Sequence, residues 1–163
     1  MQSALYLEAA VALIATVLAI TSYHPLHALL YLIVSLLAVA MVFFSFGSPF
    51  AGALEVIVYA GAIMVLFVFV VMLLNLGRTT VDQERGWLRP RTWIGPGLLS
   101  LALLAELGRL LVHGTDALSA TGHSVGAVQV GVALYGPYVL AVELASVLLL
   151  AALVTALHLG RQE

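Results

Sequence analysis

Five apolar stretches, each long enough to cross a bilayer as a helix, limit what this chain can fold into. A hydrocarbon core about 30 Å thick takes roughly 20 helical residues. The stretches are Ala4 to Tyr23, Leu26 to Phe46, Phe50 to Leu76, Trp93 to Val112, and residues 134–159 within the run Val132 to Leu159. The surrounding composition agrees. Of 163 residues, 63% are hydrophobic and 9% are charged, against roughly 25% charged in soluble domains. A small soluble domain buries too little of its surface to hide that much apolar material. The expected fold is all-α: a single membrane domain, residues 1–163, of five transmembrane helices.

Breaks between the stretches are of two kinds. His24-Pro25 and Gly47-Ser48-Pro49 are tight, because proline cannot continue a helix interior and pushes the preceding residue out of helical geometry. Two longer segments read as aqueous loops. Gly77 to Thr92 holds Arg78, Asp82, Glu84, Arg85, Arg89 and Arg91; His113 to Gly131 is rich in Gly, Ser, Thr and Ala, with Asp116 its only formal charge. The N-terminus lacks the basic region and small-residue cleavage site of a signal peptide, so the first span is expected to be kept. The four arginines after the third span and Arg161 after the fifth place both on the cytoplasmic side, with the N-terminus periplasmic. Arg109 is the misfit, and its spacing from Glu106 lets the two pair on one helix face. Trp87 and Trp93 read as interfacial belt residues.

Several function classes drop out. Net charge is −2, which gives no electrostatic footprint for nucleic acid. No cysteine is present, so this chain forms no disulfide, thiolate metal site or iron–sulfur cluster. Phosphate loops, hydrolase triads and dinucleotide fingerprints are missing. Chemistry on this chain is therefore confined to proton transfer or conformational change.

Ionisable groups within the spans are the candidates for that chemistry, since a charge at a helix centre in hydrocarbon costs at least about 2.5–3.5 kcal/mol. Glu8 lies about one turn into the first span and reads as a structural or headgroup-facing residue. Glu55 lies roughly 8 Å into the third span; it serves either as a carboxylate at a helix N-terminus or in function. Glu143 sits about eleven residues into the stretch Val132 to Leu159. That depth predicts a mid-bilayer carboxylate facing other helices, internal water or a partner. His24 and His27 suit caps or the interface better than a metal, lacking further ligands nearby. His113, His123 and His158 are scattered. In the third span, Tyr59-Ala60-Gly61-Ala62 is either a notch where another helix packs closely or a point where the helix loosens, for which a π-bulge is one form. The residues alone leave both open.

The run from Ala51 through Leu54-Glu55-Val56-Ile57-Val58-Tyr59-Ala60-Gly61-Ala62-Ile63-Met64-Val65-Leu66-Phe67 to Asn75-Leu76 closely resembles the third helix of one family. So do Pro25-Leu26-His27-Ala28-Leu29-Leu30-Tyr31-Leu32, Gln83-Glu84-Arg85 with Trp87-Leu88, and Gly136-Pro137-Tyr138-Val139-Leu140-Ala141-Val142-Glu143-Leu144-Ala145-Ser146. The family is subunit J of the proton-pumping NADH:quinone oxidoreductase, respiratory complex I, whose mitochondrial equivalent is NADH dehydrogenase subunit 6. The match runs in order along essentially the whole chain. Some bacterial members carry a charged tail after the fifth span, whereas this sequence stops at Glu163.

The resemblance implies a non-redox subunit of the membrane arm, in the bacterial inner membrane. FMN and iron–sulfur clusters belong to other subunits, and this chain carries no cofactor or metal. Its implied neighbours are subunit K, the quinone-end subunits, the antiporter-like subunits and lipid. In the family the third helix can carry a π-bulge near the positions of Tyr59, Ala60 and Gly61, and its conversion to regular helix is thought to gate a water-filled proton path. Removing a one-residue bulge turns the following half-helix by about 100°, which would move Met64 or Phe67 relative to such a path. The implied proton-path and gating residues are Glu55, Tyr59, Gly61, Met64, Phe67 and Glu143. The alternative is a purely structural scaffold of the same arm. An independent transporter fits poorly, since the sequence has neither a repeat nor paired interrupted helices.

Overall fold

The computed structural model describes residues 2–23, 25–74, 90–120 and 125–161. All regular structure among them is helical: α1 (Gln2–Thr21), α2 (Pro25–Ser45), α3 (Pro49–Leu54), a π-helical segment (Glu55–Ile63), α4 (Met64–Leu74), α5 (Pro90–Ala120), α6 (Ala127–Tyr135) and α7 (Val139–Gly160). Five candidate membrane spans result, Ala4–Thr21, Pro25–Ser45, Pro49–Leu73, Trp93–Leu110 and Val139–Gly160. The third is continuous through α3, the π segment and α4. Most of the arginine-rich loop, including Trp87, lies outside the described residues, as do His24 and His123.

Sequence punctuation explains most boundaries. Pro25 and Pro49 each open a helix, where a missing N–H costs nothing. After α2, Gly47 adopts φ 74°, a left-handed geometry that glycine enters freely. The Ser48 N–H donates to the Phe43 carbonyl and the Gly47 N–H to the Phe44 carbonyl, both at 3.0 Å. These two bonds form the standard glycine-based helix stop.

Three expectations change. The fourth helix does not end at Val112 but runs on to Ala120; loss of apolar character does not interrupt a backbone hydrogen-bond ladder when no proline intervenes. The stretch 134–159 is not one helix. It breaks at Gly136–Tyr138, where Pro137 supplies no N–H and the Gly136 backbone, at φ −107° and ψ −106°, leaves helical geometry. There the Tyr138 N–H reaches back to the Ala133 carbonyl at 3.1 Å. Consequently Glu143 is not at the middle of its span. It is the fifth residue of α7, roughly 6 Å from that helix's start.

The chain forms two compact units, Met1–Ser124 and Val125–Glu163. In the first, α2 is central: it packs on α1, on each part of the third span and on α5, and α1 also touches α5. Val11 and Ala15 of α1, Val34, Ala38 and Met41 of α2, and Leu103 of α5 make the core, flanked by Ala12, Leu37, Phe44, Leu99 and Leu107. The second unit holds α6 and α7, and Val142 is the only residue of α7 that is even half-buried.

Candidate functional site

The π segment spans nine residues, Glu55–Ile63. In a π-helix each N–H reaches the carbonyl five residues back, and such segments tend to occur at functional sites. The wider register persists to its end, where the Met64 N–H donates to the Tyr59 carbonyl. Gly61 lies inside it. A Cβ added at Gly61 would stand 3.0 Å from the Val56 carbonyl oxygen, five residues back in the same helix. No other element comes within 4 Å of that Cβ position among the described residues. Among the described residues of the first unit, Gly61 is thus no notch for a neighbouring helix. Other elements do come close at Gly95, which faces the Tyr31 hydroxyl of α2, and at Gly52, where a Cβ would meet the Ala40 carbonyl oxygen at 2.9 Å and the Phe44 ring at 3.0 Å.

The other sequence-predicted residues of this span divide by direction. Met64 is buried, while Tyr59 and Phe67 are each 50% exposed. Glu55, the first residue of the π segment, is half-buried. Apart from Glu55 and Ala60, which are half-buried, every residue of the segment is exposed. The structure therefore groups Glu55, Tyr59, Gly61, Met64 and Phe67 on one span, with a backbone whose register departs from the α-helix between them. Glu143, in the second unit, is exposed on α7, where its backbone carbonyl accepts a 2.7 Å hydrogen bond from the Ser146 hydroxyl.

A second polar constellation lies in the α1–α2–α5 bundle. Glu8 is completely buried, and the Ser45 hydroxyl sits 2.9 Å from Oε1 and 2.8 Å from Oε2. Eight residues further along α1, the Thr16 hydroxyl donates to the Ala12 carbonyl at 2.8 Å and lies 2.7 Å from Ser35 Oγ. Ser35 also donates to the Ala12 carbonyl at 3.2 Å. On α5, Arg109 pairs with Glu106 at 3.4 Å, as their spacing predicts. His27 joins Leu26, Leu30, Val68 and Trp93 around an apolar cavity of about 170 Å³.

The family model for NADH-ubiquinone/plastoquinone oxidoreductase chain 6 matches residues 15–159. The chain belongs to this family. Likeness to individual chain 6 members runs the full length. It is 62% identical to NADH-quinone oxidoreductase subunit J of Pseudomonas aeruginosa, covering 100% of this chain and 98% of that one. To the subunit J of Escherichia coli K12 it is 56% identical, covering 100% and 88%. To that of Buchnera aphidicola subsp. Schizaphis graminum it is 45% identical, covering 100% and 99%.

In this chain 6 family member, sequence reasoning missed the pairing of Glu8. A structural or headgroup-facing residue was expected; of the two, the structural one fits, since Glu8 follows the spacing of Val11 and Ala15 on the buried stripe of α1. A usable signal existed. Glu8 and Thr16 lie eight residues apart on α1, and Ser35 and Ser45 ten apart on α2. An antiparallel pair of helices brings such similarly spaced polar groups together, because hydroxyls and carboxyls in a lipid-embedded core need partners.

Proposed function

We propose that this chain is the membrane-arm subunit of an NADH:quinone oxidoreductase that couples quinone reduction to proton translocation through its third span. The observation that carries the reading is the π segment Glu55–Ile63 within an otherwise regular apolar span. Two registers of one helix differ by a discrete step, which is what a switch requires. Conversion to regular helix turns everything beyond the segment by about 100° per residue of offset. Met64, now inside, and Phe67, now outside, would exchange surroundings together.

Glu55 and Tyr59 are the polar groups on this span nearest the moving register, and Glu143 is the acid on α7. Glu55 and Tyr59 would line a path that is wet in one register and dry in the other, and Glu143 is a separate candidate proton carrier on the second unit. Redox chemistry, with FMN and iron–sulfur clusters, belongs to other subunits of the complex. Subunit K, the quinone-end subunits and the antiporter-like subunits are the neighbours expected to cover the outward faces of the third span and α7. The membrane is the bacterial inner membrane, with the arginine-rich loop cytoplasmic. Placing one cysteine at Val125, in a chain that has none, tests this orientation: a membrane-impermeant maleimide should label it from the periplasmic side only.

The π segment is tested by Gly61→Val in the assembled complex. A branched side chain at a position already crowded by the Val56 carbonyl disfavours the π register. The expected result is normal assembly on a native gel, with NADH:quinone turnover per particle reduced at least tenfold. A scaffold reading draws on the buried α1–α2–α5 core, and it gives the opposite outcome. Normal turnover and pumping per particle would reject the switch and leave the scaffold.

A further inference from the structure

The Glu8–Ser45 pair lies in the α1–α2–α5 bundle, away from the π segment, and the proposed switch does not use it. Three elements build it. Glu8 comes from α1 and Ser45 from the last turn of α2, while α5, which packs on α1, contributes the buried Glu106. Arg109 stands behind Glu106, 75% exposed and paired with it. Facing Glu8, α2 presents only a hydroxyl, and α5 presents a carboxyl group already matched to its own guanidinium. Among the described residues no basic side chain pairs with Glu8. Further along the same buried stripe of α1, Val11 and Ala15 pack in the apolar core with Met41 and Leu103.

The hydrogen count then becomes decisive. A serine hydroxyl has one hydrogen to donate and lone pairs to accept with. Both carboxyl oxygens of Glu8 lie within O–H···O distance of Ser45 Oγ. If Glu8 were ionised, that one hydrogen would be shared between two oxygens, or one contact would oppose two lone pairs. A carboxylic acid resolves it. Its O–H donates to Oγ, and the serine O–H donates back to the carbonyl oxygen. Two hydrogens make two bonds and close a small ring. Charge gives the same answer, since a buried carboxylate without a cation is strongly disfavoured.

We infer that Glu8 is a proton-binding site, holding its proton as a neutral acid in a two-bond ring with Ser45, beside the Glu106–Arg109 ion pair. It is tested on the purified complex by infrared spectroscopy. At neutral pH, Glu8→Gln should remove the C=O band of one protonated carboxyl group per particle, a band that shifts on transfer to D₂O. Ser45→Ala should keep that band but move it to higher frequency, because the carbonyl no longer accepts a hydrogen bond. Loss of carboxylate bands instead of an acid band in Glu8→Gln overturns the proposal. So does an acid region unmoved by Ser45→Ala, a reading that stands even where Glu8→Gln assembles poorly.

Discussion

The α1–α2–α5 bundle and the π segment are built from similar apolar sequence, yet they handle polar groups in opposite ways. In the bundle, Glu8, Thr16 and Ser35 find partners across a helix interface, and the neighbouring apolar residues are buried. In the π segment, the irregularity lies in the backbone itself, and most side chains point away from the chain. Within the third span itself, two glycines serve different ends. Gly52 admits α2, whose Ala40 carbonyl and Phe44 ring leave no space for a methyl group. Gly61 admits its own helix in a wider register. The lesson is that a small residue in a membrane helix cannot be assigned to packing or to backbone freedom until the atoms around its missing Cβ are known.

The largest effect is expected where the two uses are set against each other most directly. Gly52→Val drives a branched side chain into a carbonyl 2.9 Å from its Cβ, and α2 is held on its other side by α1. Overpacking of this kind typically costs about 1–3 kcal/mol, occasionally more. We expect assembled complex on a native gel to fall at least tenfold, with little change in turnover of what remains. Assembly at wild-type levels would show that α3 and α2 are not locked together. Gly61→Ala should do the reverse. Alanine favours regular helix over glycine by up to about 1 kcal/mol, and its methyl crowds only the π register. About 1 kcal/mol shifts the two-register equilibrium roughly fivefold toward the α form. Assembly should stay normal while turnover per particle drops several-fold. Equal losses in assembly and unchanged turnover would erase the distinction between the two glycines.

These two regions were not equally legible in the sequence. Length and hydropathy located the five spans, and Pro25 and Pro49 marked breaks that the backbone obeys. The Glu106–Arg109 pair followed from spacing alone. What failed was depth and partnership. Glu143 was placed at mid-span because the apolar run passes unbroken through Gly136-Pro137, although the helix does not. Glu8 was left between a structural and a headgroup role because periodicity says which residues share a stripe but not which helix covers it. At Tyr59-Ala60-Gly61-Ala62 the residues admitted both a notch and a loosened helix. Only the position of the Val56 carbonyl separates them, and that is a backbone fact no side-chain pattern encodes.

The smallest expected effect tests the bundle side of the comparison. Thr16→Val keeps the shape of the side chain and replaces its hydroxyl with a methyl group. The hydroxyl's contacts with the Ala12 carbonyl and with Ser35 vanish, and since the two hydroxyls hold two hydrogens between them, one hydrogen bond is lost once Ser35 turns to the carbonyl. The Ala12 carbonyl is still satisfied within α1, and Ser35 keeps its own 3.2 Å bond to it. No buried polar atom is therefore stranded. That matters because a stranded group costs about 1–3 kcal/mol, whereas a net hydrogen bond is worth about 0.5–1.5 kcal/mol. The loss should lie near the lower end of the smaller range. It should appear as a modest drop in the thermal stability of the assembled complex, with turnover per particle unchanged. Ser35→Ala in the same background should then add almost nothing, since the two hydroxyls act as one unit. A large additive loss would mean that Ser35 and Thr16 hold α1 and α2 together independently. A loss of turnover at full stability would mean that the bundle is not the static half of the molecule.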